Sequence, residues 1–148
     1  MPLLPSQITF FASAQPFSSG GVITIQPVPE SGKNNLFQDT PWQSLEAGQV
    51  VYKKIFLKNS STTVLSALLV WLLQPTEQEV VSIGLGTPTD TDGTVVTYSN
   101  PTRDEGFALP TMNPGDAVAI WLRKTTPPNT PAFVNNNLFQ IALTGTST

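Results

Sequence analysis

Residues 64–73 read Val-Leu-Ser-Ala-Leu-Leu-Val-Trp-Leu-Leu, and how they fold decides the class of the whole chain. Ten almost unbroken apolar residues suit either a buried helix segment or a strand covered on both faces. Their borders favour the strand. Ser60–Thr63 form a turn cluster just before them, and Pro75 follows at once. A helix here would also stand alone, because the surrounding runs are strand-like.

Val22–Gln26 and Val50–Asn59 precede it, the second running into an Asn-Ser-Ser turn. Val80–Leu85 alternates, with Val81, Ile83 and Leu85 on one face and Ser82 and Gly84 on the other. Thr94–Tyr98 follows Asp92-Gly93, a hairpin-turn pair. Ala117–Arg123 and Leu138–Leu143 complete the set, with Pro127, Pro128 and Pro131 excluding regular structure between them. Six to eight short strands without a clear helix predict an all-β, immunoglobulin-like β-sandwich. A small jelly roll or barrel is the alternative.

Two regions are expected along the chain: an extended N-terminal arm over 1–21, with Gln7–Ala12 as the first strand of the sandwich the alternative, and a single β-sandwich domain over 22–148. The arm is broken by Pro2, Pro5, Pro16 and Gly20-Gly21, yet it carries Ile8, Phe10, Phe11 and Phe17. Those four apolar side chains are candidates for docking on a partner, together with Trp42 in the Pro41 loop. Trp71 and Trp121 lie in apolar runs and are expected in the core. The first cation of the chain is Lys33, so the basic start of a secretory signal is missing, and synthesis and folding in a cytoplasm are expected.

Charged residues make up 11% of the 148, against roughly 25% in ordinary soluble domains, and the net charge is −3. Thr, Ser, Asn and Gln clothe the surface instead, which suits packing against partners. Seven Lys and Arg residues form no basic stripe, so nucleic acid is not an expected partner. No apolar window is long enough to span a bilayer, so neither is a membrane. Lys53, Lys54 and Lys58 are the nearest approach to a cluster and read as a solvated strand face.

The chain has no histidine and no cysteine. The usual neutral-pH base, thiolate chemistry and the strongest metal ligands are therefore missing, and the reading is a non-enzyme without cofactor or metal. Glu77/Glu79, Asp90/Asp92 and Asp104/Glu105 are local carboxylate pairs in predicted loops. Asp90-Thr91-Asp92-Gly93 has the opening of a calcium loop but Pro101 stands where its last ligand belongs, and a hairpin turn explains the same residues.

Several stretches in order resemble small β-sandwich structural proteins of tailed bacteriophages. They are Ile8-Thr-Phe-Phe with Ser19-Gly20-Gly21, Asn35-Leu36-Phe37-Gln38-Asp39, and Glu46-Ala-Gly48 ahead of Val51–Asn59. Asn100-Pro101, Leu109, Pro114-Gly115-Asp116, Ile120–Thr125 and the Phe139–Gly145 strand continue the series. The resemblance implies a virion role, with capsid decoration or cement favoured and the major capsid protein or other virion proteins as partners. Copies would form a homo-oligomer in the virion, assembled in the host cytoplasm. A tail, neck or baseplate protein is the first alternative, and a carbohydrate-binding adhesive domain the second. Pro41-Trp42 and the Pro-rich Met1–Pro5 lead depart from the family pattern.

Overall fold

The computed structural model describes residues 1–15, 18–28, 47–73, 80–101, 105–128 and 140–148. Among the described residues eight strands form two antiparallel sheets. They are β1 (Ile8–Ser13), β2 (Ile23–Pro27), β3 (Gln49–Asn59), β4 (Leu65–Leu73), β5 (Val80–Leu85), β6 (Phe107–Ala108), β7 (Ala117–Thr126) and β8 (Gln140–Ser147). The large sheet runs β2-β1-β3-β7-β5 and the small one β6-β4-β8. The chain is an all-β sandwich.

Alternation builds the core. Ile55 and Leu57 of β3, Ile120 and Leu122 of β7, and Val81 and Ile83 of β5 project from one face of the large sheet. Leu65, Leu68, Val70 and Leu72 of β4 meet them from the small sheet. Residues 64–73 thus contribute a strand, as their borders imply. Its spacing slips once, because three steps from Ser66 to Leu69 face two steps from Thr146 to Thr144. Ala67 absorbs the extra residue with φ at +51°.

The edges of the segment between β3 and β4 are fixed by one side chain. Asn59 is fully buried and its Nδ2 donates to the carbonyls of Thr63 (2.8 Å) and Met112 (3.0 Å). Its Oδ1 accepts from the Ser61 amide and hydroxyl. The strand exit and the Asn113–Asp116 turn, with Gly115 at φ +85°, are tied together through this residue.

The N-terminal segment is not an arm. Residues 1–3 run beside β8, where the Leu3 amide donates to the Gly145 carbonyl (3.0 Å) and the Ser147 amide to Met1 (2.8 Å). A 3-10 turn at Pro5–Gln7 then carries the chain across to the other sheet. There Ile8–Ala12 pairs with Asn59–Ile55, making β1 an interior strand between β2 and β3. Pro5 opens the crossing turn, where a lost amide donor costs little, and leaves Ile8–Ser13 free to pair, while Pro2 stands opposite Thr146 beside β8. The boundary drawn at residue 21 therefore cuts through a β1–β2 hairpin.

Two other expectations change. Thr94–Tyr98 is not a strand: Gly93–Val95 forms a 3-10 turn entered from Asp92, and only Ser99 bridges back to Ile83. Trp71 is half-buried and alternates with core residues Val70 and Leu72, so it lies on the solvent side of the small sheet. The expected run over Leu138–Leu143 appears as Gln140–Ser147, and Leu138 and Phe139 lie outside the described residues.

Candidate functional site

The face of the large sheet that points away from the core carries Tyr52, Lys54 and Phe56 of β3 opposite Arg123, Trp121 and Ala119 of β7. It is covered by a strap, residues 86–99, that lies across it. Gly86 anchors one end by donating to the Ala119 carbonyl (2.9 Å), and Ser99 and Ile83 exchange a pair of bonds at the other. The Gly20–Gly21 turn of the β1–β2 hairpin closes the remaining side, its Gly21 amide donating to the Asp90 carbonyl (2.9 Å).

Beneath this cover lies a buried charge cluster. Lys54 is 0% exposed, and its Nζ donates to the carbonyls of Gly21 (2.8 Å) and Asp90 (2.9 Å). It also pairs with Asp90 Oδ1 at 2.5 Å, and stands 5.0 Å from the Phe56 ring centre and 5.8 Å from that of Trp121. Asp90 Oδ2 accepts from the Trp121 indole N–H (3.0 Å) and the Thr87 amide (3.1 Å). Both carboxylate oxygens are therefore engaged.

Glycines make the closure possible by lacking volume. A Cβ at Gly86 or Gly93 would stand 2.8 Å from the Trp121 ring, and one at Gly84 2.5 Å from Val96 Cγ1. Gly93 follows Asp92 for this reason and supplies no positive φ, which is why the hairpin expectation fails there. Asp92 caps the turn, its Oδ1 accepting from the Thr94 amide (3.0 Å) and hydroxyl (2.6 Å).

Tyr98 donates to the Gly93 carbonyl (2.8 Å), and Arg123 lies 4.6 Å from its ring centre. Burial, and after it the neighbouring Tyr52, pushes the Tyr98 phenol well above its usual value.

The three lysines of β3 do not form a solvated face. Lys53 and Lys54 are both buried, on opposite sides of β3, and Lys58 alone of the three is partly exposed, its Nζ 5.9 Å from the Phe11 ring centre. Burial, followed by the Lys124 charge, pushes the Lys53 ammonium below its usual value. Alternation correctly separates Lys53 from Lys54, but it says nothing of the strap that covers the outer face.

The candidate contact residues separate in the same way. Ile8 is in the core and Phe10 packs against it, so neither is free to dock. Phe11 lies on the outer face, half-buried. Phe17 and Trp42 lie outside the described residues. Trp121 is fully buried, and so cannot serve as a sugar platform.

The exposed apolar residues lie elsewhere. Edge strand β2 shows Ile23 and Ile25, with Val22 just ahead of it, and Ile25 is 95% exposed. Leu85 and Val95 are exposed beside a groove of about 550 Å³ at the opposite edge of the large sheet. The run Val22-Ile-Thr-Ile was legible as a strand, but only its place at an edge reveals the exposure.

Among the described residues no helix is long and apolar enough to cross a membrane, and no three His, Cys, Asp or Glu gather as a metal site. Comparison with protein-family models, curated proteins and solved structures finds no match to the chain.

The acid–base behaviour of the cluster is testable. Burial alone would raise the Asp90 pKa, but the bonds from Lys54, Thr87 and Trp121 and the Lys54 charge outweigh it and hold it below the ordinary value. A depressed carboxylate stabilises the fold above the unfolded pKa, about 3.9, and the gain is lost as pH falls through the lower folded value. The denaturation midpoint is therefore expected to fall below about pH 4 through this window. Asp90→Asn should show a shallower acid limb. An unchanged limb would assign the loss to other carboxylates.

Proposed function

We propose that the chain is a structural protein of a tailed-bacteriophage virion, a capsid decoration protein that docks on the shell in repeated copies and has no catalytic role. The observation that carries this reading is a division of labour among the described side chains. The ionic and hydrogen-bonding groups of Lys54, Asp90 and Asn59 are turned inward to hold turns and the strap together. Edge strand β2 exposes the aliphatic Ile23 and Ile25 beside the uncharged Gln26. A stable frame with an uncharged contact edge is what a docking subunit needs.

The phage class comes from the ordered motifs. Several fall at structurally meaningful points, with Asn59 closing β3, Pro114-Gly115 making a tight turn and Ile120-Trp121 facing opposite sides of β7. The immunoglobulin-like form of the sandwich, the capsid protein as partner and assembly in the host cytoplasm belong to the same proposal.

Particles of the encoding phage that lack this protein should still assemble, yet release DNA at a lower temperature than complete particles. Adding the purified protein should restore the release temperature. Equal release temperatures with and without it would remove the cementing role.

A further inference from the structure

We infer that Lys54 and Asp90 become covalently joined, the Lys54 Nζ and the Asp90 side-chain carboxyl condensing to an amide that staples β3 to the strap. Oδ1 of Asp90 is closed to solvent and accepts no aligned hydrogen bond, although Nζ stands 2.5 Å away. The nitrogen thus meets the carboxylate obliquely, and closer than the roughly 2.7–2.9 Å of an ordinary charge-assisted bond. Two of its three protons go to the carbonyls of Gly21 and Asp90, which leaves the third side of the nitrogen for the carboxyl group. Phe56 and Trp121 flank the nitrogen and keep water from it. The second oxygen is held as well: Oδ2 accepts from the Trp121 indole N–H (3.0 Å) and the Thr87 amide (3.1 Å). A nucleophile fixed beside one oxygen and two N–H donors fixed on the other is the arrangement that acyl transfer needs.

The condensation needs no other reactant. One ammonium proton passes to Oδ1, and the lone pair it frees attacks the Asp90 carboxyl carbon. Negative charge gathers on Oδ2, where the Trp121 and Thr87 N–H groups already point. A second nitrogen proton joins Oδ1, its bond to carbon breaks, and one water leaves through the 20% of the Asp90 side chain that is exposed. Nothing is oxidised or reduced. The amide keeps one N–H for a main-chain carbonyl, and two buried charges with their desolvation cost are gone. The link ties positions 36 apart, in a chain that has no cysteine to make such a staple otherwise. The acid-limb behaviour described for Asp90 belongs to the unlinked chain, which its mass identifies. The inference concerns the chain itself and does not depend on which body it covers.

Mass spectrometry of the purified full chain, denatured before injection, should give the sequence mass less one water. Tryptic digestion should release a branched peptide in which Lys54 is joined to the segment holding Asp90, with no cleavage after Lys54. Lys54→Met keeps Asp90 and the Asp92-Gly93 pair, and it should show its full sequence mass. The branched peptide of the wild-type chain decides the matter even where that variant fails to fold. A wild-type chain at full sequence mass would overturn the proposal. So would a missing water located at Asp92-Gly93, where the Asp92 carboxyl can close on the Gly93 amide, because that loss would persist in Lys54→Met and give no branched peptide.

Discussion

Asp90→Ala is expected to destabilise the fold by about 3–5 kcal/mol, because it leaves the fully buried Lys54 ammonium without its counter-charge. The backbone carbonyls of Gly21 and Asp90 remain as acceptors but carry no net charge. Lys54→Met should cost less, since the Asp90 side chain is 20% exposed and its Oδ2 keeps the Trp121 and Thr87 donors. The double variant Lys54→Met with Asp90→Ala should be far less harmful than the two single losses added, as removing both charges also removes the desolvation cost. Equilibrium urea unfolding of all four proteins measures this coupling. Additive losses would mean the two groups do not act as a pair.

The second large effect is at Trp121. Truncation to alanine should cost about 3–5 kcal/mol, the range for large aromatics in packed sites. The indole fills the space between β7 and the strap, touches the positions left empty at Gly86 and Gly93, and gives its N–H to Asp90. Its loss opens a cavity and removes a donor from a carboxylate at once. Trp121→Phe retains much of the volume without the N–H, so it should recover part of the loss. A thermal midpoint equal to wild type in Trp121→Ala would show that the strap does not bear on the indole.

These residues show where the sequence was readable. The strand nature of residues 64–73 followed from its close borders, and Val80–Leu85 followed from strict alternation. Both signals are local. Lys54 was opaque because its burial is produced by Gly21 and Asp90, which lie 33 and 36 positions away. Asp92-Gly93 misled because a glycine needed for space and a glycine needed for positive φ look alike in sequence. The supposed arm misled for a related reason. A proline marks where regular pairing stops, and here Pro5 stops it at the sheet crossing and leaves the six residues of β1 intact. Exposure of Ile25 needed knowledge that β2 is an edge and that its ladder bulges.

Asn59 is the opposite case. An Asn at a strand exit before Ser-Ser implies a side chain bonding nearby backbone, and the structure adds Met112, 53 positions away, as a second acceptor. The local half of its role was legible and the long-range half was not.

Electron cryo-microscopy of intact particles of the encoding phage tests the functional account most directly. The expected result is two-sheet density fitting this sandwich on the outside of the shell, repeated with the capsid lattice. Density confined to the tail or neck would move the protein to a different virion structure. Its complete absence from particles would contradict the account.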